Sequence, residues 1–171
     1  MIGSLAERSD PIALEVLHEV AGSDHDAVRM AAMRALAILG DASSIAPLCS
    51  IIIKTDSRPE KLAAIETLRR LKGADIDAVV TSWMERAPLS ARPELMEALV
   101  QRNARTALDA LIVQTREEAV RGAAFRAIGQ LAGAEHLPVL LNLLAAVEGD
   151  AGRAEAEGAV VELCGRIAGN A

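Results

Sequence analysis

Aromatic side chains are almost missing from this 171-residue chain, which has Trp83, Phe125 and no Tyr. Its core must therefore be packed from Ala, Leu, Ile and Val, with the small residues letting helices approach closely. Histidine is as scarce, at His18, His25 and His136. Lys and Arg total 18 against 24 Asp and Glu, for a net charge of -6. That deficit argues against a nucleic-acid partner, whose grip on phosphates rests on basic contacts. No run of like charges reaches the length of a disordered tail. No apolar run approaches the roughly 18 residues of a membrane span. The N-terminus has no basic segment followed by an apolar stretch, so no signal peptide is expected. These absences lead us to expect a cytoplasmic protein with no nucleic-acid partner, no membrane partner and no cofactor.

What is present is apolar content, 51% of residues, in a periodic arrangement. Ala27–Gly40, AVRMAAMRALAILG, is written again four times. Leu36 falls over Leu68, Leu99, Ile128 and Val160, at spacings of 32, 31, 29 and 32 residues. The same register aligns Ala32, Ala64, Leu95, Ala124 and Ala156, and also Ala35, Thr67, Ala98, Ala127 and Ala159. A period near 30 residues predicts a solenoid of stacked units, none able to bury its own apolar stripe. We expect one all-α domain over residues 1–171, with repeats at 10–40, 41–73, 74–104, 105–132 and 133–168 and no strands.

Within each repeat the sequence predicts two helices. The first-helix stripes are Ile12, Val16, Leu17 and Val20; Ile45, Leu48, Ile51 and Ile52; Val79 and Trp83; Leu108, Leu111 and Ile112; and Leu137, Leu140, Leu141 and Leu144. Cap residues read as Asp10 before Pro11, then Asp26, Ser90 and Asp150. Ser57 with Glu60, and Thr115 with Glu118, have the spacing of a capping box. Arg102 takes the slot of Leu39 and Leu71, which predicts a weaker third repeat. Glu155 and Glu157 replace Ala31 and Met33, as a polar terminal cap would. Ile2-Gly3-Ser4-Leu5 matches Ile128-Gly129-Gln130-Leu131, the end of a second helix. We therefore expect a fragment of a longer solenoid, able to self-associate through its uncapped N-terminal end. Cys49 and Cys164 lie three repeats apart. At about 10 Å per stacked helix pair they are beyond the roughly 7 Å limit of a disulfide, so two buried free thiols are expected.

A column of basic residues runs through the register: Arg29, Lys61, Arg92, Arg121 and Arg153. At about 100° per residue, Arg29 lies about 20° from Leu36, on the core side. A cation in a first helical turn opposes the helix dipole and needs an acid nearby. Asp26, Glu118 and Asp150 stand three residues before their Arg, whereas Lys61 and Arg92 must borrow an acid from a neighbouring repeat. The column reads as an inter-repeat ladder of ion pairs; a phosphate-binding row is the alternative.

Asp26-Ala-Val-Arg29, Glu118-Ala-Val-Arg121 and Asp150-Ala-Gly-Arg153, with Leu39-Gly40-Asp41, resemble HEAT repeats, most of all the short variety named for phycobilisome lyases. The resemblance implies a right-handed superhelix whose second helices line the concave face. There the polar positions are Arg34, Glu66, Arg69, Glu97, Gln101, Arg126 and Gln130, with Arg70 and Glu162 beside them. Their mixed signs suit a protein partner. The resemblance implies a protein-binding scaffold or adaptor rather than an enzyme, with no catalytic, cofactor or metal residues, and bilin-lyase or tetrapyrrole-handling activity as the alternative. His18-Glu19 is similar to the His-Glu pairs of deoxyhypusine hydroxylases, but three histidines are too few for that di-iron site. HEAT-like alkylpurine glycosylases need a basic groove and aromatics for a flipped base, and Trp83 and Phe125 both fall in apolar stripes.

Overall fold

A computed structural model gives the conformation of the chain and describes residues 11–169. The stub at Met1–Arg8 and the Asp10 cap therefore lie outside the described residues. Five helix pairs follow one another: α1 (Pro11–Val20) and α2 (Asp26–Leu39), α3 (Ile45–Lys54) and α4 (Arg58–Arg70), α5 (Ile76–Arg86) and α6 (Arg92–Gln101), α7 (Leu108–Gln114) and α8 (Arg121–Leu131), α9 (Leu137–Ala146) and α10 (Asp150–Gly169). Short 3-10 turns precede α3, α6, α7 and α9. There is no strand among the described residues.

The register residues explain the stacking. Leu36, Leu68, Leu99 and Ile128 are buried, as are Ala32, Ala64, Leu95, Ala124 and Ala156. Each second helix packs on the next, α2 on α4, α4 on α6, α6 on α8 and α8 on α10, while consecutive first helices approach closely only at α3 and α5. The fold is an all-helical α-solenoid.

The expected stripes are buried in α3 (Ile45, Leu48 and Ile52) and α7 (Leu108 and Leu111), but three first helices are rotated relative to theirs. In α1, Leu14 is buried whereas Ile12 and Val16 are exposed; in α5, Ile76, Val80 and Met84 are buried and Val79 is exposed; in α9, Leu140 is buried and Leu141 exposed. Val79-Val80 and Leu140-Leu141 are adjacent apolar residues about 100° apart on a helix, and only the neighbouring row selects between them. Val28 and Leu39 are likewise partly exposed on α2, whose buried residues are Ala32, Met33 and Leu36. Phe125 is fully buried, but Trp83 is half-buried at the edge of the core.

Two capping boxes do not form. Ser57 makes no side-chain cap bond; its amide donates to Thr55 Oγ1 at 3.1 Å, and the Glu60 carboxylate accepts from Arg29 and Thr55 instead. Thr115 donates to the Ile112 carbonyl at 2.7 Å and α8 starts only at Arg121, so Glu118 lies before the helix. Asp26 is the first residue of α2 rather than its cap, which is His25. Ser90 sits inside a 3-10 turn, and the residue before α6 is Ala91, with no side-chain cap bond. Glu155 does not decorate an outer face: its carboxylate lies against Gly122 of α8. That packing uses space a side chain on Gly122 would fill. Cys49 is buried as expected, but Cys164 is exposed.

Arg102 is not a gap in the core. It follows α6 and donates to the carbonyls of Leu68 and, at 3.1 Å, Leu71, the last carbonyls of α4. It also pairs with Asp77 at 2.5 Å. Arg166 of α10 does the same for α8, donating to Gly129 at 2.6 Å and Ala132 at 2.5 Å. The last carbonyls of a helix lack intrahelical partners, and here an arginine from the next second helix supplies them.

Candidate functional site

The exposed strip of the second-helix row carries the seven polar residues singled out in sequence. Arg34, Arg69, Glu97, Gln101, Arg126 and Gln130 are exposed, and Glu66 is half-buried. They do not form one network. Glu66 accepts two bonds from Arg69 at 2.7 Å and one from Arg70 at 2.7 Å. Those two arginines hold its carboxyl down at about 2. The α4 cluster thus carries one uncompensated positive charge. Gln101 donates to Glu97 at 2.8 Å. Arg34 and Arg126 form no ion pair among the described residues.

Between α6 and α8 this strip opens into a crevice of about 90 Å³. Its apolar wall is Met96, Val100, Ala123 and Ala127, with Pro93 at one end; Glu97 stands on one rim, Arg126 and Gln130 on the other. Glu97 and Arg126 hold the same slot in consecutive repeats, so the crevice is bordered by opposite charges one helix apart. This pocket joins three of the seven predicted residues; Arg34, Glu66, Arg69 and Gln101 lie elsewhere along the row.

The basic column has a different geometry. Arg29 donates from Nε to Glu60 at 3.0 Å and from Nη2 to the same carboxylate, crossing to the next repeat. It also reaches Asp26 at 2.7 Å and the Ser23 carbonyl at 2.7 Å. Glu60 has only 4% of its side chain exposed. Arg29 and Thr55 hold its carboxyl below the usual carboxylate range. Lys61 reaches Glu94 of the next repeat at 2.8 Å. Arg92 borrows no acid: it bonds Gln114 of α7 at 2.6 Å and the carbonyls of Ala87 and Glu85. Arg121 bonds the Thr115 carbonyl at 3.1 Å. Arg153 is exposed, and neither Glu118 nor Asp150 forms an ion pair among the described residues. An ion-pair ladder therefore spans only the first two junctions. Among the described residues, the later positions have neutral acceptors or none, because Glu118 falls in the turn before α8 and Asp150 is exposed.

A wider groove of about 450 Å³ lies above the Arg29–Glu60 pair, between the turns of the first two repeats, with His18, Ser50 and Lys54 on its walls. Sequence reasoning missed it, since Glu60 reads locally as a capping acid. His18 Nε2 is 2.8 Å from Ser44 Oγ, and His136 Nδ1 accepts from the Gly133 amide at 3.1 Å. Among the described residues no group of three or more His, Cys, Asp or Glu side chains is placed to hold a metal ion. Burial pushes the Cys49 thiol up to about 12, so it is no nucleophile near neutrality.

A family model matches the first part of the chain. Residues 1–69 match the family model for HEAT repeats. That match supports a HEAT-repeat protein, and the same two-helix unit continues through α10. No curated protein matches the chain. No helix among the described residues is long and apolar enough to cross a membrane.

Proposed function

We propose that this chain is a non-catalytic, protein-binding scaffold or adaptor that takes its partner on the concave, second-helix row. The Asp/Glu-Ala-Val-Arg phrases favour the short HEAT-like repeats of the phycobilisome-lyase variety as its building block. The observation that carries the reading is the α6–α8 crevice, where an apolar wall adjoins Arg126, which forms no ion pair among the described residues. An apolar floor with charged rims is how an interface combines burial with orientation. The other strongly organised polar groups are taken up internally: Glu60, Arg102 and Arg166 all satisfy neighbouring repeats.

The test is a pull-down from the native lysate with the full chain as bait, read by mass spectrometry and visible absorbance, beside a double reversal, Arg34→Glu with Arg126→Glu. A stoichiometric protein band that disappears in the double reversal is expected. A band of unchanged intensity would remove the concave face from the reading. A coloured eluate without a protein band would replace the scaffold with tetrapyrrole handling.

A further inference from the structure

We propose that the α6–α8 crevice anchors an amphipathic helix of a partner protein. That helix lies across the second-helix row with an aliphatic side chain in the crevice, a basic residue toward Glu97 and an acidic residue toward Arg126. This rests on the concave-face reading and names the partner's chemistry.

The size of the crevice sets the anchor. About 90 Å³ is well below the roughly 150 Å³ apolar cavity that accepts a benzene ring, so an aliphatic side chain fits and an aromatic one does not. The wall of Met96, Val100, Ala123 and Ala127 offers it no hydrogen bond from a side chain. The rims set the flanking charges. An all-acidic segment would meet Glu97, and an all-basic one would meet Arg126. Only a segment of both signs satisfies both.

Helix spacing sets the order. Neighbouring second helices stand about 8–10 Å apart. Residues seven apart on a helix share a face and are about 10.5 Å apart along it. The residue four after the first lies between them on that face. A basic residue, an aliphatic residue four later and an acidic residue three beyond that therefore match Glu97, the crevice and Arg126. One step back along the row, Glu66 is shared by Arg69 and Arg70 and leaves a net positive charge. An acidic residue seven before the basic one completes the code. This is helix-in-groove recognition, with the groove supplied by two stacked repeats.

The probe is a fluorescein-labelled, alanine-based helical peptide of about 18 residues. It carries a glutamate, a lysine seven residues on, a leucine four further and a glutamate three further. Its anisotropy is titrated with the full chain. Replacing the peptide leucine by serine is expected to weaken binding about tenfold. Arg126→Glu is expected to weaken the parent peptide by about tenfold or more and to bind tightly the peptide whose last glutamate is lysine. Glu97→Lys should favour the peptide whose lysine is glutamate. Both positions are exposed, and a gain of affinity cannot arise from misfolding. No binding of the parent peptide, equal binding of the serine peptide, or failure of the charge exchange to restore affinity overturns the proposal. A photo-crosslinking residue at Gln101, compared with one at Val113 on α7, separates the two levels. Capture of a lysate protein through position 101 with no peptide binding removes this inference and leaves the concave reading standing. Capture only through position 113 removes both.

Discussion

Gly129 of α8 packs closely on the Ala159 backbone of α10, and this makes a signed prediction about two glycines. A Cβ placed on Gly129 would lie 3.1 Å from the Ala159 Cα and 3.3 Å from its carbonyl oxygen. A Cβ on Gly158 of α10 would meet nothing within 4 Å. The two substitutions to Ala are chemically identical, and each gains about 0.8–1 kcal/mol of helix propensity. At Gly158 that gain is the whole effect, so Gly158→Ala stabilises by about 1 kcal/mol. At Gly129 the new methyl presses on backbone, which moves only with all of α10. Overpacking of this kind costs about 1–3 kcal/mol. Gly129→Ala is therefore net destabilising by about 1 kcal/mol, and the two variants differ by about 2 kcal/mol. At about 2–4 °C per kcal/mol for a chain of this size, their melting temperatures should stand about 4–8 °C apart. Far-UV circular dichroism during heating measures this directly. Urea titrations followed by helix signal and by Trp83 fluorescence show whether the stack melts as one unit. Stabilisation by both substitutions would refute the close packing of α8 on α10.

Glu60→Gln removes a nearly buried carboxylate from Arg29 and Thr55 and should cost about 1–2 kcal/mol. The folded carboxyl of Glu60 is depressed, so its contribution is present above the unfolded value near 4.3 and is lost as pH falls through the folded value. Acid titration of wild type should show that loss, and Glu60→Gln should flatten it. Arg102→Leu restores the leucine of the other repeats, yet it should destabilise by about 1–3 kcal/mol in urea, because two α4 carbonyls and Asp77 lose their donor. A thiol reagent at neutral pH should label Cys164 at once and Cys49 only in urea; equal rates in the folded protein would contradict the burial of Cys49.

The second-helix register was readable because those positions are buried from two sides. Leu36, Leu68, Leu99 and Ile128 face neighbours in both directions along the row, and only an aliphatic side chain fits. The first helices are buried from one side, and runs such as Val79-Val80 leave their rotation open. Glu60 shows the limit of local motifs. Ser57 and Glu60 have capping spacing, but a guanidinium from the previous repeat is a stronger donor to that carboxylate than a backbone amide. Arg102 was visible as an exception, although its partners, carbonyls 31 and 34 residues earlier in the chain, are set by stacking. Glu155 required knowing that Gly122 leaves room opposite it. The seven polar positions of the second-helix row were readable as a face. The crevice was not, because it depends on Ala123 and Ala127 lying beside Met96 and Val100 across two helices.

The basic column poses a question that ion pairing does not answer: why keep a cation at the start of a second helix, where the dipole opposes it? Arg29 bonds the Ser23 carbonyl, Arg92 the Ala87 carbonyl and Arg121 the Thr115 carbonyl. Each acceptor is five or six residues earlier, at or just beyond the end of the first helix of the same repeat. The cation therefore also stands at a helix C-terminus, where the dipole favours it and free carbonyls need donors. In these three repeats the guanidinium ties the two helices of the repeat together, and Arg29 adds an ion pair to Glu60. Lys61 reaches Glu94 of the next repeat instead of its own turn, as expected of a single ammonium against a five-donor fork. Arg121→Lys should then behave like Arg121→Ala, with each losing about 1 kcal/mol and increasing hydrogen exchange at the amides of residues 115–120. Full protection in the lysine variant would show that charge alone, rather than the guanidinium's reach to the Thr115 carbonyl, holds the turn.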